Sequence, residues 1–473
     1  MSSSGLRNRT RRVQVVVLGD YGRSPRMQYH SLSLAQQAGF EVDVIAYVGS
    51  SPHELISAEP RIHLHLIHPP PTIISRLPRI LALVVKTLYQ LVQLMMTLLL
   101  WLPKADYLLL QNPPCIPTFT VCQIACALRR TKLVIDWHNF GFSLMALSMG
   151  PTHPLVRAAK WYEQFFGKFG HAHMCVTRAM KMELVRWGLP EESVRVVYDC
   201  PAPYFQRSAL DQSHALFAQL RDQCAAPPGL AHPQLPGTTA SSDFLSELCA
   251  ELEEDDGATI ATRRTGNETT SISGARLELN PRRPAILVSS TSWTPDEDFG
   301  LLLEAAQLYD RAVQATKLDA PPLPNLVVFV TGKGPQRAMY EERMRQLKLK
   351  HVAFRTLWLS FQNYAHLLGS ADLGVCLHTS SSGLDLPMKV VDMFGCELPV
   401  CAVRYSTIHE LVAEGNNGML FETAHELLQH LLELFKGFPT KSSALETLRK
   451  GATEASIRRW EPNWAAHAQS IFN

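Results

Sequence analysis

Short apolar runs of strand length recur along two parts of the chain, with helical segments between them. In the first part the runs are Val13–Leu18, Glu41–Tyr47, Tyr107–Gln111, Leu133–Asp136, Met174–Thr177 and Arg195–Tyr198. In the second part they are Ala285–Ser289, Leu326–Val330, Val352–Thr356, Ala371–Leu377 and Leu398–Val403. Strands that alternate with helices are typical of βαβ units and parallel sheets. We therefore predict an α/β fold with two Rossmann-like domains, 13–205 and 283–452.

The segments outside these domains differ in composition. Residues 1–12 are polar and basic and lack the apolar centre of a signal peptide, so we expect a tail that favours an anionic membrane surface. Residues 206–282 are rich in small and polar residues with weak periodicity, which predicts a disordered or loosely helical low-complexity insertion. In residues 453–473, Trp460 and Trp464 lie four positions apart, which predicts a helix that packs across the domain boundary.

Composition excludes several classes of protein. The 473 residues are 46% hydrophobic and 19% charged, which is enough apolar material for a large core and excludes global disorder. The net charge of +2, without a basic stripe, argues against a nucleic-acid partner. Ten scattered cysteines show neither zinc spacing nor a disulfide framework, so we expect reduced, cytosol-facing thiols.

The most apolar stretch, Leu77–Leu102, is about 25 residues long, which is enough to span a bilayer. Polar residues recur along it every three or four positions, at Lys86, Gln90, Gln93 and Thr97. The strands before and after it should share one sheet, which a single crossing would not allow. We therefore predict a membrane-associated helix lying in one leaflet, with Leu91, Met95 and Leu98 towards lipid. The alternative is a fully buried core helix.

A loop of small residues in the second domain leads into a helix and predicts a phosphate site. The loop includes Ser381, Ser382 and Gly383, and we expect the helix to begin near Asp385 as N-cap. Backbone N–H groups at such a helix start bind phosphate, and Lys389 adds a positive charge. Asp392, three residues after Lys389, could accept a hydrogen bond from a sugar hydroxyl. An ordinary βαβ unit with a solvated Lys/Asp pair is an equal alternative.

Polar residues at predicted strand ends of the first domain are the candidate catalytic groups. Asp20 follows the first strand, and His138 follows the strand Leu133–Asp136. Open α/β sheets bind ligands beyond the carboxyl ends of their strands. The alternative for Asp20 is a turn or capping carboxylate, and for His138 a structural histidine with satisfied hydrogen bonds.

Two further loops of the second domain carry polar groups. Lys333 follows a predicted strand, where it could pair with a diphosphate or remain a solvated turn lysine. Asp296, Glu297 and Asp298 resemble an Asp-x-Asp metal motif, but we interpret them as a helix start with Thr294 as N-cap and Pro295 in the first turn.

Five stretches in order resemble one family of glycosyltransferases. They are VVVLGDYGRSPRMQYH (15–30), VIDWHNFGFSLMAL (134–147), HAHMCVTRAMK (171–181), LVSSTSWTPDEDF (287–299) and SSSGLDLPMKVVDMFG (380–395). Together they resemble the chitobiosyldiphosphodolichol β-mannosyltransferases, which have the GT-B fold of two Rossmann-like domains facing a cleft. Many relatives carry a Glu-x7-Glu pair, where this chain has Leu384 and Asp392.

The resemblance implies an inverting transfer of mannose from GDP-mannose to GlcNAc2-diphosphodolichol, forming a β-1,4 linkage, with no built-in cofactor or metal. It makes Asp20 the first candidate for the catalytic base and His138 the second. The implied donor-binding residues are Gly19, Ser292, Lys333, Ser381, Ser382, Gly383, Lys389, Asp392 and Glu410, and the implied acceptor-side residues are Arg26, Trp137 and Asn139.

The resemblance also implies a location at the endoplasmic reticulum membrane, with the active site facing the cytosol. The expected partners are the lipid-linked acceptor, the membrane and other transferases of the same pathway, and nucleic acid is not expected. Two alternatives are a retaining GT-B enzyme that uses a UDP-sugar and a catalytically silent membrane-bound assembly subunit.

Overall fold

The computed structural model describes residues 10–228, 243–253, 257–265, 276–316 and 321–473. These residues form two compact units. The first contains the described residues up to Asp199, the loop Ser381–Asp385 and the tail Trp460–Asn473. The second contains Cys200–Ser380 and Leu386–Arg459. The second unit thus includes the described part of 206–282, which the sequence pattern predicts to be a separate insertion, and the first unit includes the end of the chain.

The first unit is built on a seven-stranded parallel sheet in the order β3-β2-β1-β4-β5-β6-β7. Its strands are β1 (Arg12–Asp20), β2 (Glu41–Tyr47), β3 (Ile62–Ile67), β4 (Tyr107–Asn112), β5 (Lys132–Trp137), β6 (Ala172–Cys175) and β7 (Val194–Val196). Its helices are α1 (Pro25–Gln36), α2 (Glu54–Ala58), α3 (Arg79–Met96), α4 (Thr118–Arg129), α5 (Gly141–Met149), α6 (Pro154–Phe166) and α7 (Arg178–Arg186). The strand order changes direction beside β1, which places the ligand-binding edge at the carboxyl ends of β1, β4 and β5.

Three helices and a two-stranded hairpin follow in the second unit. The helices are α8 (Leu210–Gln219), α9 (Arg221–Ala225) and α10 (Phe244–Glu253), and the hairpin pairs β8 (Thr262–Thr265) with β9 (Arg276–Leu279). These elements occupy the described part of the segment expected to be disordered or loosely helical. They are ordered because they bury Phe217, Cys224 and Leu245, and because Arg355 donates two hydrogen bonds of 2.7 Å to Asp243. The expectation was a disordered or loosely helical segment; its described residues form helices and a strand pair that pack on the second unit.

The second sheet has six parallel strands in the order β12-β11-β10-β13-β14-β15. The strands are β10 (Ala285–Ser290), β11 (Leu326–Thr331), β12 (Val352–Leu357), β13 (Leu373–Cys376), β14 (Val400–Val403) and β15 (Gly418–Phe421). The helices are α11 (Phe299–Ala315), α12 (Arg337–Gln346), α13 (Phe361–Ser370), α14 (Met388–Gly395), α15 (Ala424–Leu434), α16 (Ser443–Ser456) and α17 (Trp460–His467). The last of these, α17, returns to the first unit. Both sheets have the Rossmann strand order, as predicted.

Helix α3 and the π-helical turn after it, Thr97–Trp101, connect β3 to β4 within one sheet. The stretch Leu81–Trp101 is long and apolar enough to span a membrane. Its inner face packs on the core through Leu94 and Leu98, and Leu91 and Met95 contact the same core. The expectation that Leu91, Met95 and Leu98 face lipid was therefore wrong. The exposed apolar residues are Leu81, Leu83, Val84, Leu88, Val92, Met96, Leu100 and Trp101.

The chain end packs on the first unit, as the spacing of its two tryptophans suggested. Trp460 Nε1 donates to Ser33 Oγ at 3.0 Å, and Trp464 Nε1 donates to His30 Nδ1 at 3.0 Å. Both indoles are buried. Residues 1–9 of the predicted basic tail lie outside the described residues. All ten cysteines lie among the described residues, where each is buried and none forms a disulfide bond.

Candidate active site

A buried carboxylate organises the carboxyl edge of the first sheet. Asp136, near the end of β5, accepts hydrogen bonds of 2.8 Å from both Nε and Nη2 of Arg26. His30 Nε2 lies 3.2 Å from Asp136 Oδ2, and His138 Nε2 lies 2.7 Å from the same oxygen. Burial alone would raise the pKa of Asp136, but Arg26, His138 and His30 hold it well below its ordinary value. Asp136 is therefore ionised, and it accepts hydrogen bonds from Arg26 and His138.

The contact with Asp136 sets the orientation of His138. Because the carboxylate only accepts, His138 Nε2 carries the proton and donates it, which leaves Nδ1 as the ring's acceptor atom. The imidazole is half-buried, with 21% of its side chain exposed. An imidazole held in one tautomer by a buried carboxylate has the arrangement of a general base.

Asp20 lies at the end of β1 and closes a loop. Its carboxylate accepts hydrogen bonds from Gly22 N at 3.1 Å, from Ser50 N at 2.9 Å and from Ser50 Oγ at 2.8 Å. The slight burial of Asp20 would raise its pKa, but these bonds and the nearby Arg23 lower it. This is the capping geometry named above as the alternative for Asp20, and a lowered pKa makes a carboxylate a weaker base.

Two of the expected acceptor-side residues have no surface to offer an acceptor. Trp137 is fully buried, and its Nε1 donates to His173 Nδ1 at 3.3 Å. Arg26 is 5% exposed, and besides Asp136 it donates to Asp199 Oδ1 at 2.9 Å. Arg26 therefore affects the site through its ion pair with Asp136. Trp137 affects it through packing in the core.

Asn139 connects the end of β5 to the loop before α14. Its Nδ2 donates to Ser381 Oγ at 3.2 Å and to Asp385 Oδ1 at 3.1 Å. Thr177 Oγ1 donates to the Leu384 carbonyl at 2.6 Å. Ser381, Ser382 and Gly383, expected at the donor phosphates, therefore pack with the first unit. Asp385 is a partner of Asn139 rather than the N-cap of α14, which begins at Met388 after Pro387.

The carboxyl edge of the second sheet is organised by Glu297. This buried carboxylate accepts from Ser292 N at 2.7 Å and from Thr291 Oγ1, and it contacts Lys389 Nζ. Burial lowers the pKa of Lys389 to about 8, with Asp296 opposing the shift. The structure thus joins Ser292 and Lys389, which are distant in sequence, through one carboxylate.

Two loops at this edge approach each other at backbone distance. A Cβ at Gly332 would lie 1.7 Å from the Thr291 carbonyl oxygen, and one at Gly334 would lie 1.8 Å from that of Ser292. Only glycine fits at either position. Between them, Lys333 Nζ lies 4.0 Å from the ring centre of Trp358. Ser292 and Lys333 therefore lie on adjoining loops, beyond the adjacent strands β10 and β11.

The helix after this loop begins later than predicted. Asp298 is the N-cap of α11, and its Oδ1 accepts from Gly300 N at 2.9 Å. Thr294 and Pro295 precede the helix, so the predicted start was wrong by several residues. Within Asp296–Asp298, Glu297 is the buried carboxylate that binds the loop and Asp298 is the N-cap of α11. Among the described residues, no group of three or more His, Cys, Asp or Glu side chains could hold a metal ion.

The remaining candidate residues are distributed over both units. Gly19 lies in β1 of the first unit, next to Asp20. Asp392 lies half-buried on α14, one turn after Lys389. Glu410 ends a short 3₁₀ turn, Ile408–Glu410, beyond β14.

Both domain types have known relatives. A family model described as Glycosyltransferase Family 4 matches residues 27–200, and one described as Glycosyl transferases group 1 matches residues 284–437. An Arabidopsis thaliana protein named UDP-glycosyltransferase TURAN is 48% identical over 98% of this chain and 97% of its own length.

Further relatives carry a second name. Proteins from Pongo abelii and Homo sapiens, both named chitobiosyldiphosphodolichol beta-mannosyltransferase, are 44% and 43% identical over 97% and 96% of this chain. The alignments cover 92% and 91% of those proteins. The chain belongs to the chitobiosyldiphosphodolichol beta-mannosyltransferase family. The predictions of the family and of a mannosyltransferase enzyme are confirmed.

Solved structures confirm the GT-B fold of this mannosyltransferase family member. The Anabaena protein HepE in complex with UDP superposes with a TM-score of 0.58 at 13% identity, covering 96% of this chain and 98% of that protein. Sucrose-phosphate synthase from Thermosynechococcus elongatus gives 0.55 at 11% identity, with 96% of each chain covered. At these identities the likeness describes the fold alone.

Sequence reasoning missed three carboxylates that position this mannosyltransferase's candidate groups. Asp136 and Glu297 are described above, and the third is Glu163 of α6. Glu163 is buried and accepts from Asn112 Nδ2 at 2.6 Å and from the backbone N–H of Gly141 and Phe142 at the start of α5. The one available signal was a carboxylate inside an otherwise apolar segment, such as Asp136 in LVIDW.

Proposed function

We propose that this enzyme transfers mannose from GDP-mannose to a chitobiose linked through a diphosphate to dolichol, with inversion at the anomeric carbon. Membership of the family over nearly the whole chain supports this reaction. The observation that carries the mechanism is the Asp136–His138 pair at the carboxyl edge of the first sheet, with a buried carboxylate 2.7 Å from the imidazole.

In this proposal His138, rather than Asp20, is the catalytic base. The acceptor hydroxyl donates its proton to His138 Nδ1 while its oxygen bonds to the anomeric carbon, and the bond from that carbon to the diphosphate breaks. Asp136 holds the imidazole and stabilises its charge as it takes up the proton. A general base of this kind contributes about 10²–10⁴-fold to the rate.

The second unit is proposed to hold the donor. Lys389 and Lys333 carry positive charge at its carboxyl edge, where the departing GDP needs charge stabilisation. The backbone N–H of Ser292 already donates to Glu297, so Ser292 is proposed to contribute its side-chain hydroxyl. Asp392 and Glu410 are proposed to accept from sugar hydroxyls. Ser381, Ser382, Gly383 and Gly19, which belong to the first unit, remain predicted donor contacts.

We also propose that α3 lies in the membrane plane of the endoplasmic reticulum, with the active site facing the cytosol. The exposed apolar stripe of α3 and the position of β3 and β4 in one parallel sheet support this arrangement. Cysteine labels placed just before Leu77 and just after Leu102 should react from the same side of sealed vesicles. Labelling from opposite sides would show that the segment spans the membrane. Assembly with other transferases of the pathway is proposed on kinship alone.

A UDP-sugar is the second candidate donor, because the Arabidopsis relative is named a UDP-glycosyltransferase. The test for both candidates is to incubate the enzyme with labelled GDP-mannose, or with labelled UDP-sugars, and a lipid-linked chitobiose. We expect one added hexose, from GDP-mannose only, in a β linkage by mass and glycosidase digestion. A product from a UDP-sugar, or an α linkage, would contradict the proposal.

A further inference from the structure

A pocket of about 460 Å³ lies in the first unit. One wall is formed by Phe140 and Phe142, which follow His138 closely in the chain. Another wall is α6, which contributes Arg157 and Lys160. Residues three apart on a helix share one face, so both cations project towards the same space. Ser381 and Ser382, kept above as predicted donor contacts, also line this pocket, but the mechanism proposed above gives no role to Arg157 or Lys160.

The charge inside this pocket is positive. No carboxylate in the described part of the chain pairs with Arg157 or Lys160, while Lys160 Nζ lies 5.3 Å from the ring centre of Phe142. The pocket also contains Glu183, but Arg186 Nη1 at 3.0 Å and Trp187 Nε1 at 2.9 Å already bind that carboxylate. Two uncompensated cations therefore remain to attract an anion.

The two helices that line the pocket, α5 and α6, also carry exposed apolar side chains close in sequence to its lining residues, and we call these its rim. Leu144, Leu147 and Met149 of α5 are 42%, 60% and 42% exposed, and Leu155 at the start of α6 is 44% exposed. The N-terminal end of α5 is held in place by Glu163, which binds the Gly141 and Phe142 amides. A rigid apolar rim beside two cations suits a ligand that has both an anionic group and a hydrocarbon chain.

We infer that this pocket binds the diphosphate of an isoprenoid-linked acceptor through Arg157 and Lys160, with the first isoprene units on the α5 rim. The inference rests on the proposed function for the identity of its ligand. In such an acceptor, two sugar rings separate the diphosphate from the hydroxyl that reacts. A diphosphate site that adjoins His138 along the chain, rather than coinciding with it, fits that chemistry.

The test compares wild type with the double variant Arg157→Gln/Lys160→Gln in detergent, using the full chain. The KM for a phytanyl-diphosphate chitobiose acceptor should rise about tenfold or more, because two charge-assisted contacts are lost. The KM for the donor should stay within twofold. Lys168→Gln, which removes an exposed cation just beyond α6, is the matched control and should leave both values unchanged. An unchanged acceptor KM in the double variant would overturn the inference.

Two further measurements separate the possible ligands. An alkyl chitobioside without phosphate should react equally well with wild type and double variant. An equal loss of activity on both acceptors would mean that the pocket does not bind the diphosphate. Binding to phosphatidylserine vesicles should stay within twofold. A tenfold loss there, with an unchanged acceptor KM, would assign the cations to lipid headgroups and overturn the inference.

The inference can fail separately from the proposed function. If wild type transfers mannose but the double variant matches it, only the pocket assignment fails. If wild type transfers no mannose to any acceptor, the proposed function fails, and equilibrium binding of phytanyl diphosphate then decides the pocket. Binding about tenfold weaker in the double variant would support the pocket, and equal binding would overturn it.

Discussion

The polar groups at the carboxyl edges of the two sheets are held in place by different kinds of contact. In the first unit, Arg26, His30 and His138 converge on one fully buried carboxylate, Asp136, and Arg26 also donates to the Val197 carbonyl. In the second unit, backbone amides and close glycine contacts shape the loops, and a single pair, Glu297 and Lys389, links them. The first edge therefore depends on charges from distant elements, and the second on local loop geometry.

This difference suits the two halves of a glycosyl transfer. A base must be fixed in one tautomer, which a network of buried charges does well. A diphosphate requires N–H groups and mobile cations around it, which loops provide. The surfaces differ too, because the exposed apolar side chains of α3 and α5 belong to the first unit.

The largest expected effect is on the buried charges of the first edge. Asp136→Asn leaves Arg26 and two histidines without their carboxylate, and the free energy of unfolding should fall by about 3–5 kcal/mol. Denaturant unfolding measures this loss. Asp199→Asn is the control, since Asp199 is 14% exposed and makes one ion pair with Arg26, and its loss should be smaller. Equal losses would mean that Asp136, with its three partners, stabilises the protein no more than the single ion pair of Asp199 does.

A second large effect is expected for membrane binding by the first unit. Leu88→Glu/Val92→Glu places two carboxylates on the exposed stripe of α3, and each should cost on the order of 2–3 kcal/mol at membrane depth. Vesicle sedimentation should show release of the protein. Leu279→Glu, at a 50% exposed leucine of the second unit, should leave binding unchanged. Release by the Leu279→Glu control alone would show that the second unit, and not the first, carries the membrane-binding surface.

The second edge should tolerate loss of its pair if both charges are removed together. Lys389→Met/Glu297→Gln avoids a lone buried charge, so the protein should fold. Donor binding should weaken by roughly 1.5–3 kcal/mol, because a charge-assisted contact to the diphosphate is lost. Isothermal titration with GDP-mannose measures the change in affinity. The single variant Glu297→Gln shows how much of that change comes from the altered loop and not from the lost lysine. An unchanged donor affinity would remove Lys389 from the site.

The smallest effect is a pH dependence of the second edge. Because burial lowers the pKa of Lys389 to about 8, its charge is present below that pH and is lost as pH rises through it. The KM for donor should therefore be flat below pH 8 and rise up to about tenfold above it. Lys389→Arg stays charged, so its profile should remain flat. A rise of the same size in the arginine variant would assign the titration to another group.

The contrast between the edges also explains what the sequence could predict. Most strands were predictable because each is a short apolar run, but β3, which carries two histidines, and the four-residue β15 were not predicted. The second edge was partly predictable because Lys333 and Lys389 each lie close after a predicted strand or loop. The role of Asp136 was not, because its partners Arg26 and His30 lie more than 100 residues away. The prediction placed Leu91 and Met95 on the wrong face of α3. The sequence periodicity shows that this helix has two faces, but it does not show which of them packs on the sheet.

The most direct test of the central claim compares transfer by His138→Ala and by Asp20→Asn under the same conditions. In this account His138 is the base and Asp20 closes the loop between Gly22 and Ser50. His138→Ala should lower kcat by about 10²–10⁴-fold with the KM for donor unchanged, while Asp20→Asn should stay within about tenfold of wild type. An inactive Asp20→Asn that folds normally, beside a His138→Ala near wild type, would contradict the account.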